Sequence, residues 1–348
     1  MPGSCPGVGP KIGPNGSGSE RVMPEISVIV VNWNGRHLLE DCLGAMRRQT
    51  FRDFETILVD NGSTDGSIEY VQSQFPEVKL VALPENRGFT GGNIAGYEAA
   101  SGRFIALLNN DTEVHEAWLR AIYEASMQHP DAGSFASKMM YFDNRERIEN
   151  CGFDLGISGV TIDLGRDEID GPAWSKPCEV FGACGGAVAY RRSMLQDIGF
   201  LDPDFFAVYE DVDLSFRARL RGYGCIYVPR AVVFHRYRAT LGQRSERQVF
   251  YSQRNIELVY FKNMPTGLML RSMPQRILYE LGAAIHFARL GHAGAFLRGK
   301  LSALKLFLSV LKKRNQTQKL RTVPNSRLLG HMRPAFHSKW KKFRHSST

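Results

Sequence analysis

Ile26–Asn32 reads ISVIVVN, an unbroken run of apolar, mostly β-branched residues between Ser27 and Asn32. A strand wet on one face alternates apolar with polar residues. A continuous run is the pattern of a strand covered on both faces, as in a parallel sheet between two layers of helices. Just beyond it the period changes. In residues 37–48 (HLLEDCLGAMRR), Leu38, Leu39, Cys42, Leu43 and Met46 fall on one helical stripe. Working outward, the two periods alternate: a strand at 54–59 (FETILV), a helix near 67–75, a short strand at 78–82, a helix near 92–100, a strand at 103–108 (RFIALL) and a helix around 115–128. This rhythm, with its short connections, predicts an α/β fold: a Rossmann-like, mostly parallel sheet with flanking helices. Sheets of this kind bind ligands beyond the carboxyl ends of their strands, so chemistry is expected in the loops that follow them.

Residues 143–178 lose the rhythm and read as an irregular excursion. Order returns with 180–190 (VFGACGGAVAY), a helix near 193–198, a helix at 211–221 and a strand through 225–234. From about residue 267 the chain becomes helical and basic. Phe296, Leu297, Leu301, Leu304, Leu308 and Leu311 recur at helical spacing among Arg298, Lys300, Lys305, Lys312 and Lys313. Residues 314–348 are polar and basic and are expected to form a flexible tail. Residues 1–24, rich in Gly, Pro and Ser and without an apolar core, read as a disordered leader and not as a signal peptide. No stretch approaches the ~18 apolar residues of a membrane span.

Composition narrows the class. The 348 residues carry 44 Lys+Arg and 35 Asp+Glu, and the excess is uneven: residues 1–229 are net −12, whereas residues 230–348 are net +21 with only Glu246, Glu257 and Glu280 as acids. An apolar fraction of 43% excludes a wholly disordered chain. The basic third calls for an anionic partner: nucleic acid, anionic lipid or a phosphorylated substrate. Six scattered cysteines without C-x-x-C spacing read as reduced thiols, and neither a disulfide scaffold nor a zinc site.

The strand-end loops carry the candidates. After the first strand stands Trp33, which suits either stacking on a nucleotide base or packing beside a turn. The second ends in Asp60-Asn61-Gly-Ser-Thr-Asp-Gly-Ser67, a turn and helix cap whose Asp60 is also placed to accept from the imide N–H of a uracil or thymine ring. In the third, Glu85-Asn86-Arg87-Gly88-Phe-Thr-Gly-Gly-Asn93, glycines allow close backbone approach and Arg87 suits phosphate. The fourth, Asn109-Asn110-Asp111, offers a carboxylate for a hard divalent cation, or a helix cap. Glu210, Asp211 and Asp213 open a helix; clustered acids there complement the dipole or raise one another's proton affinity toward that of a general base. His235 ends the last strand and suits a metal ligand or a structural role. Neither the first nor the second loop holds G-x-G-x-x-G or a P-loop, which counts against dinucleotide dehydrogenases and P-loop ATPases.

In this order the pieces SVIVVNWNG, VDNGSTDGS, NRGFTGGN, LLNNDTEV, YEDVDLSFR and VVFHR resemble the motif series of glycosyltransferase family 2, in particular its bacterial rhamnosyltransferase-like branch. The resemblance covers residues 26–265 and implies a GT-A fold, with a nucleotide-sugar half at 25–140 and an acceptor half at 141–265. It is followed by an amphipathic helical extension at 266–313. Carried over by position, Trp33 flanks the base and Asp60 binds its imide. Asn86, Arg87 and Asn93 line the donor, with Asn109 and Asn110 beside them. Asp111 holds the metal, Mg²⁺ or Mn²⁺, where the family's Asp-x-Asp motif falls, and Asn109 replaces its first Asp. Asp211 is the base and His235 reaches the metal or diphosphate. Gly185, Gly186 and Glu210 shape the acceptor pocket.

The implied function is an inverting, metal-dependent transfer from a dTDP- or UDP-sugar, rhamnose favoured, to a cell-surface glycan or lipid-linked acceptor. The basic helices are expected to meet an anionic membrane surface, so that the enzyme is cytoplasmic and peripheral on the inner face of the cell membrane, with no nucleic-acid partner. A sugar-phosphate nucleotidyltransferase would want a Gly- and Lys/Arg-rich loop after the first strand, where Asn32–Arg36 offers one Gly and one Arg. A non-catalytic membrane- or nucleic-acid-binding protein is the other class the charge admits; regularly interleaved aromatic platforms for nucleic acid are lacking.

Overall fold

The computed structural model describes residues 23–236 and 245–333; the leader expected at 1–24 lies almost wholly, and the end of the tail at 334–348 entirely, outside them. The first half runs β1 (Ile26–Asn32), α1 (Arg36–Arg47), β2 (Phe54–Asn61), α2 (Ser67–Gln74), β3 (Lys79–Leu83), α3 (Gly88–Ala99), β4 (Phe104–Asn109), β5 (Thr112–Val114) and α4 (Trp118–Gln128). It continues with β6 (Ala132–Tyr141), β7 (Ile148–Asn150), β8 (Phe153–Gly156), β9 (Thr161–Asp163), β10 (Cys178–Val180), β11 (Ala187–Arg191), α5 (Arg192–Ile198), α6 (Glu210–Arg221) and β12 (Gly224–His235). The C-terminal part holds α7 (Glu246–Asn263), α8 (Thr266–Arg289), α9 (Ala293–Lys305), α10 (Phe307–Leu320), α11 (Asn325–Gly330) and β13 (Met332–Arg333).

The main sheet has the order β10-β12-β6-β11-β4-β1-β2-β3, with β5 on β12 and β7 on β6. Strands β3, β2, β1 and β4 are mutually parallel, and β11 inserts antiparallel between β4 and β6. Residues of β1 alternate between two cores. Ile26, Val28 and Val30 face Leu39, Cys42 and Leu43 of α1 and Trp118 and Ile122 of α4. Ile29 faces the other layer, with Leu214 and Ala218 of α6 and Ile94 of α3. Each fully buried aliphatic side chain of this kind contributes roughly 1.5–3 kcal/mol, so the unbroken run in β1 is stabilising only when both layers are present. Helix α3 approaches closely because Gly96 has no side chain: a Cβ there would lie 2.3 Å from Ile29 Cγ2.

Four expectations change. Helix α3 starts at Gly88, not near 92: Gly88 sits against Phe206, and Gly92 and Gly96 against Val31 and Ile29 of β1, where a Cβ would collide. The excursion at 143–178 contains β7, β8 and β9, of which β8 and β9 join β13 in a separate three-stranded sheet. The apolar run at 180–190 is two strands, β10 and β11, separated by the loop 181–186. Helix α10 does not stop at 313 but continues to Leu320, with α11 and β13 beyond it, so the near part of the expected tail is ordered onto the domain. A third core, with Phe153 and Phe216 beside Leu258, Leu268, Ala303, Val310 and Leu328, fastens α7 to α11 onto α6 and β8.

Candidate active site

The ends of β1, β2 and β4 are tied by side-chain amides. Asn110 Nδ2 donates to Asn32 Oδ1 (2.8 Å), and Asn32 Nδ2 donates to Ser67 Oγ (2.9 Å) and, at 3.4 Å, to Asp60 Oδ1. Gly35 must be glycine, because a Cβ there would sit 2.5 Å from the Asn110 amide. Asp60 is fully buried and its Oδ2 accepts from the Ser63 amide (2.9 Å). In this conformation Asp60 therefore holds the 60–67 turn, and direct contact with a base needs that turn to open. Trp33, in contrast, is 41% exposed at the same edge.

The third loop is fixed by a residue that the sequence reading passed over. Asn61 Oδ1 accepts from the Arg87 amide (2.9 Å), and its Nδ2 donates to Gly88 O (3.0 Å) and to Asn86 Oδ1 (3.2 Å). Asn86 in turn accepts from the Gly88 amide (2.8 Å). The Arg87 side chain is left exposed, with no carboxylate against it among the described residues. Asn93 is buried in α3; its Nδ2 donates to Phe89 O (2.9 Å), while its Oδ1 has no partner among the described residues.

At the end of β4, Asp111 Oδ1 lies 3.1 Å from His235 Nε2, and His235 Nδ1 lies 2.7 Å from Glu149 Oε2. All three side chains are buried. Burial disfavours the imidazolium, but hydrogen bonds to Asp111 and Glu149, with their charges, outweigh it and push His235 up to about 10. Glu149, on β7, was missed: it lies 86 residues from its partner, in the segment that shows no periodicity. A carboxylate behind a ligating histidine fixes the ring and its tautomer. Among the described residues no group of three His, Cys, Asp or Glu converges on one point. With a carboxylate on each ring nitrogen His235 is held here as the imidazolium, so a divalent cation at Asp111 would have to displace the Nε2 proton before the ring could serve beside that carboxylate as a ligand.

The acids of α6 divide by environment. Asp211 Oδ2 accepts from the Gly185 amide (2.8 Å) and its Oδ1 from the Val212 amide (2.7 Å). Desolvation outweighs those hydrogen bonds and raises Asp211 to about 6. Glu210 is buried, with Oε2 unpartnered; burial first, then the charge of Asp211, pushes its pKa well above the usual carboxylate range. Asp213 differs: it is fully buried against Arg217 (2.9 Å), Lys262 (2.9 Å) and Asn263 (2.8 Å). Burial there works against the charge, yet Lys262 and Arg217 hold Asp213 at about 2. It is a structural anion, so the three-acid cluster reduces to Glu210 and Asp211.

Gly185 and Gly186 join the two ends of the site. The Asn109 amide donates to Gly186 O (2.9 Å), and the next residue back donates to Asp211. The carboxyl end of β4, with Asp111 beyond it, is thereby connected to the Asp211 carboxylate through two glycines.

Residues 27–199 match the family model described as Glycosyl transferase family 2. Among curated relatives, an N-acetylglucosaminyl-diphospho-decaprenol L-rhamnosyltransferase of Mycobacterium tuberculosis is 28% identical over 60% of this chain and 75% of its own. An uncharacterized glycosyltransferase of Nostoc sp. is 28% identical over 54% of this chain; the chain spans 57% of that relative's length, and 27% of an uncharacterized Sinorhizobium fredii protein that it also matches. A solved structure, GalNAc-T7 with UDP, GalNAc and Mn²⁺, superposes with a TM-score of 0.59 at 18% identity, covering 74% of this chain and 52% of that one, which speaks for the GT-A fold alone. Fold, motif order and family model agree: residues 27–199 form a glycosyltransferase family 2 domain.

Proposed function

We propose that the chain is an inverting, divalent-metal-dependent glycosyltransferase that moves a sugar, rhamnose in the first instance, from a dTDP- or UDP-sugar to a hydroxyl of a cell-surface glycan or lipid-linked acceptor. The observation that carries this reading is Asp211, raised to about 6 and held by the Gly185 amide two glycines away from the end of β4. Its oxygen takes the proton of the acceptor hydroxyl as that oxygen bonds to the anomeric carbon. The bond from that carbon to the diphosphate breaks on the opposite face, which inverts the centre, and the electron pair leaves with the nucleoside diphosphate. Asp111 would hold the metal, joined by His235 once its Nε2 proton is displaced, with Glu149 keeping the other ring nitrogen; when bound, Mg²⁺ or Mn²⁺ supplies positive charge to the departing diphosphate. Arg87, exposed on the third loop, adds charge for the same phosphates, and Trp33 offers a face to the base. Asn86 and Asn109 line the donor side, with Asn93 buried behind them in α3; Gly185 and Gly186 line the acceptor side, with Glu210 buried behind them. The relative named as a rhamnosyltransferase on a decaprenyl diphosphate supports the choice of donor and acceptor.

The test is a thermal-shift panel of dTDP- and UDP-sugars with Mn²⁺ or Mg²⁺. A donor at 100 times its Kd stabilises by about 2.7 kcal/mol, and this shift should need the metal and shrink in Asp111→Ala. No shift with any nucleotide sugar would overturn the reading.

The acceptor side of the proposal includes a membrane. Helix α9 packs on α7 through Ala295, Gly299 and Ala303, and turns Leu297, Leu301 and Leu304 outward; Leu308 and Leu311 of α10 continue the stripe, the five being 42–81% exposed. After Glu280 the chain has 15 Lys+Arg and no acid, so a second copy of this face would meet like charge, whereas an anionic bilayer meets complementary charge. No helix among the described residues is long and apolar enough to cross a membrane. The enzyme would then be cytoplasmic and peripheral, on the inner face of the cell membrane. Vesicles of phosphatidylglycerol should sediment the protein and those of phosphatidylcholine should not; Leu304→Ser with Leu308→Ser should abolish sedimentation. Retention of binding by the double variant would refute the face.

A further inference from the structure

Just before Glu210 and Asp211 the backbone takes a conformation that its side chains disfavour. Phe206, Val208 and Tyr209 all have positive φ, at +61°, +69° and +73°. Left-handed backbone is natural to glycine and rare for other residues, and for β-branched Val208 it is an outlier. Such strain persists only where surrounding groups over-determine it. Here they come from α7. Asn255 is fully buried, and its Nδ2 donates to the carbonyls of Phe205 (3.0 Å), Ala207 (2.8 Å) and Val208 (2.6 Å). Its Oδ1 accepts from Arg254 Nε (2.8 Å), which fixes the direction of the amide. Arg254 Nη2 donates to the carbonyls of Asp204 (2.8 Å) and Phe205 (2.7 Å). The same turn reaches the donor side: Phe206 O accepts from the Thr90 amide (3.0 Å), and the Phe206 ring stacks on Tyr251 at 5.1 Å.

We propose that Asn255 is a positioning residue: with Arg254 it clamps residues 205–209 in the left-handed turn, and the turn sets where Asp211 stands relative to Gly185 and to the donor loop. The clamp rests on the reading of Asp211 as the base. A second account, in which Asn255 merely satisfies buried carbonyls, explains the hydrogen bonds but gives no reason for three strained residues beside the base. The two accounts differ in what glycine does. With Asn255 gone, Val208 relaxes out of the left-handed region; glycine at 208 re-enters it without steric cost.

The experiment compares the full chain with Asn255→Ala, Val208→Gly and the double variant. Asn255→Ala is expected to raise amide hydrogen exchange across 206–212 and to lower kcat about a hundredfold, with donor KM little changed. The double variant should recover most of both, and Val208→Gly alone should melt no lower than the parent. Unchanged exchange and kcat in Asn255→Ala would overturn the clamp. So would a double variant that regains its melting temperature but neither protection nor turnover, because that is the signature of a packing role. The exchange arm needs no nucleotide sugar, so a chain that consumes none would sink the reaction assigned to Asp211 while the exchange data still judge the clamp.

Discussion

Asp211 and Asp213 stand two residues apart on one turn and end at about 6 and about 2, which separates chemistry from structure by environment alone. A general base must be deprotonated to act, so turnover should climb as pH rises through about 6 and level off above it; an acid limb far below that value would contradict the assignment. Asp211→Asn should cost about 10²–10⁴ in kcat, the usual worth of a positioned base. Glu210 should behave in the opposite way. Burial and the charge of Asp211 raise its proton affinity and favour the neutral form, so Glu210→Gln, which preserves the neutral shape, should cost far less turnover than Asp211→Asn in a pH 7 assay. Neither difference is visible in the letters EDVD: two of the neighbours that decide it, Gly185 and Lys262, come from distant parts of the chain, and Arg217 lies one turn further along α6.

At the scale of elements, the joints of the fold carry the stability predictions. The buried set of Asp213, Lys262, Arg217 and Asp202 connects α6 to α7. Removing one partner leaves charge uncompensated in the interior, so Asp213→Ala should destabilise by about 3–5 kcal/mol in urea unfolding. The folded pKa of Asp213 is depressed, so its contribution is complete above the ordinary value of 3.8 and is lost as pH falls toward about 2. Gly96→Ala should cost about 1–3 kcal/mol, because the added methyl meets Ile29 of β1. The sequence announced β1, β2, β4 and their helices through periodicity, which burial on two faces imposes. It hid the break between β10 and β11, since VFGACGGAVAY stays apolar through a buried loop. It also hid the early start of α3, because glycine's low helix propensity yields there to close packing.

For the whole molecule, the proposed function gives the −12 body and the +21 end two tasks, transfer and membrane contact. The candidate loops were legible, because each follows a strand whose pattern is plain. Glu149 and Asn255 were not legible. One lies in an aperiodic segment and the other is a lone amide inside a helix, and both act on residues more than forty positions away. The leucine stripe was visible as a helical pattern, but only packing showed that the small residues Ala295, Gly299 and Ala303 face α7 and the leucines do not. The measurement that bears most directly on the whole account is nucleoside diphosphate release from dTDP- and UDP-sugars with a lipid-linked acceptor, followed against pH for the parent and for Asp211→Asn. The account predicts release by the parent that needs Mg²⁺ or Mn²⁺, rises through about pH 6, and falls by about 10²–10⁴ in the variant. Equal release by parent and variant across that range would contradict it.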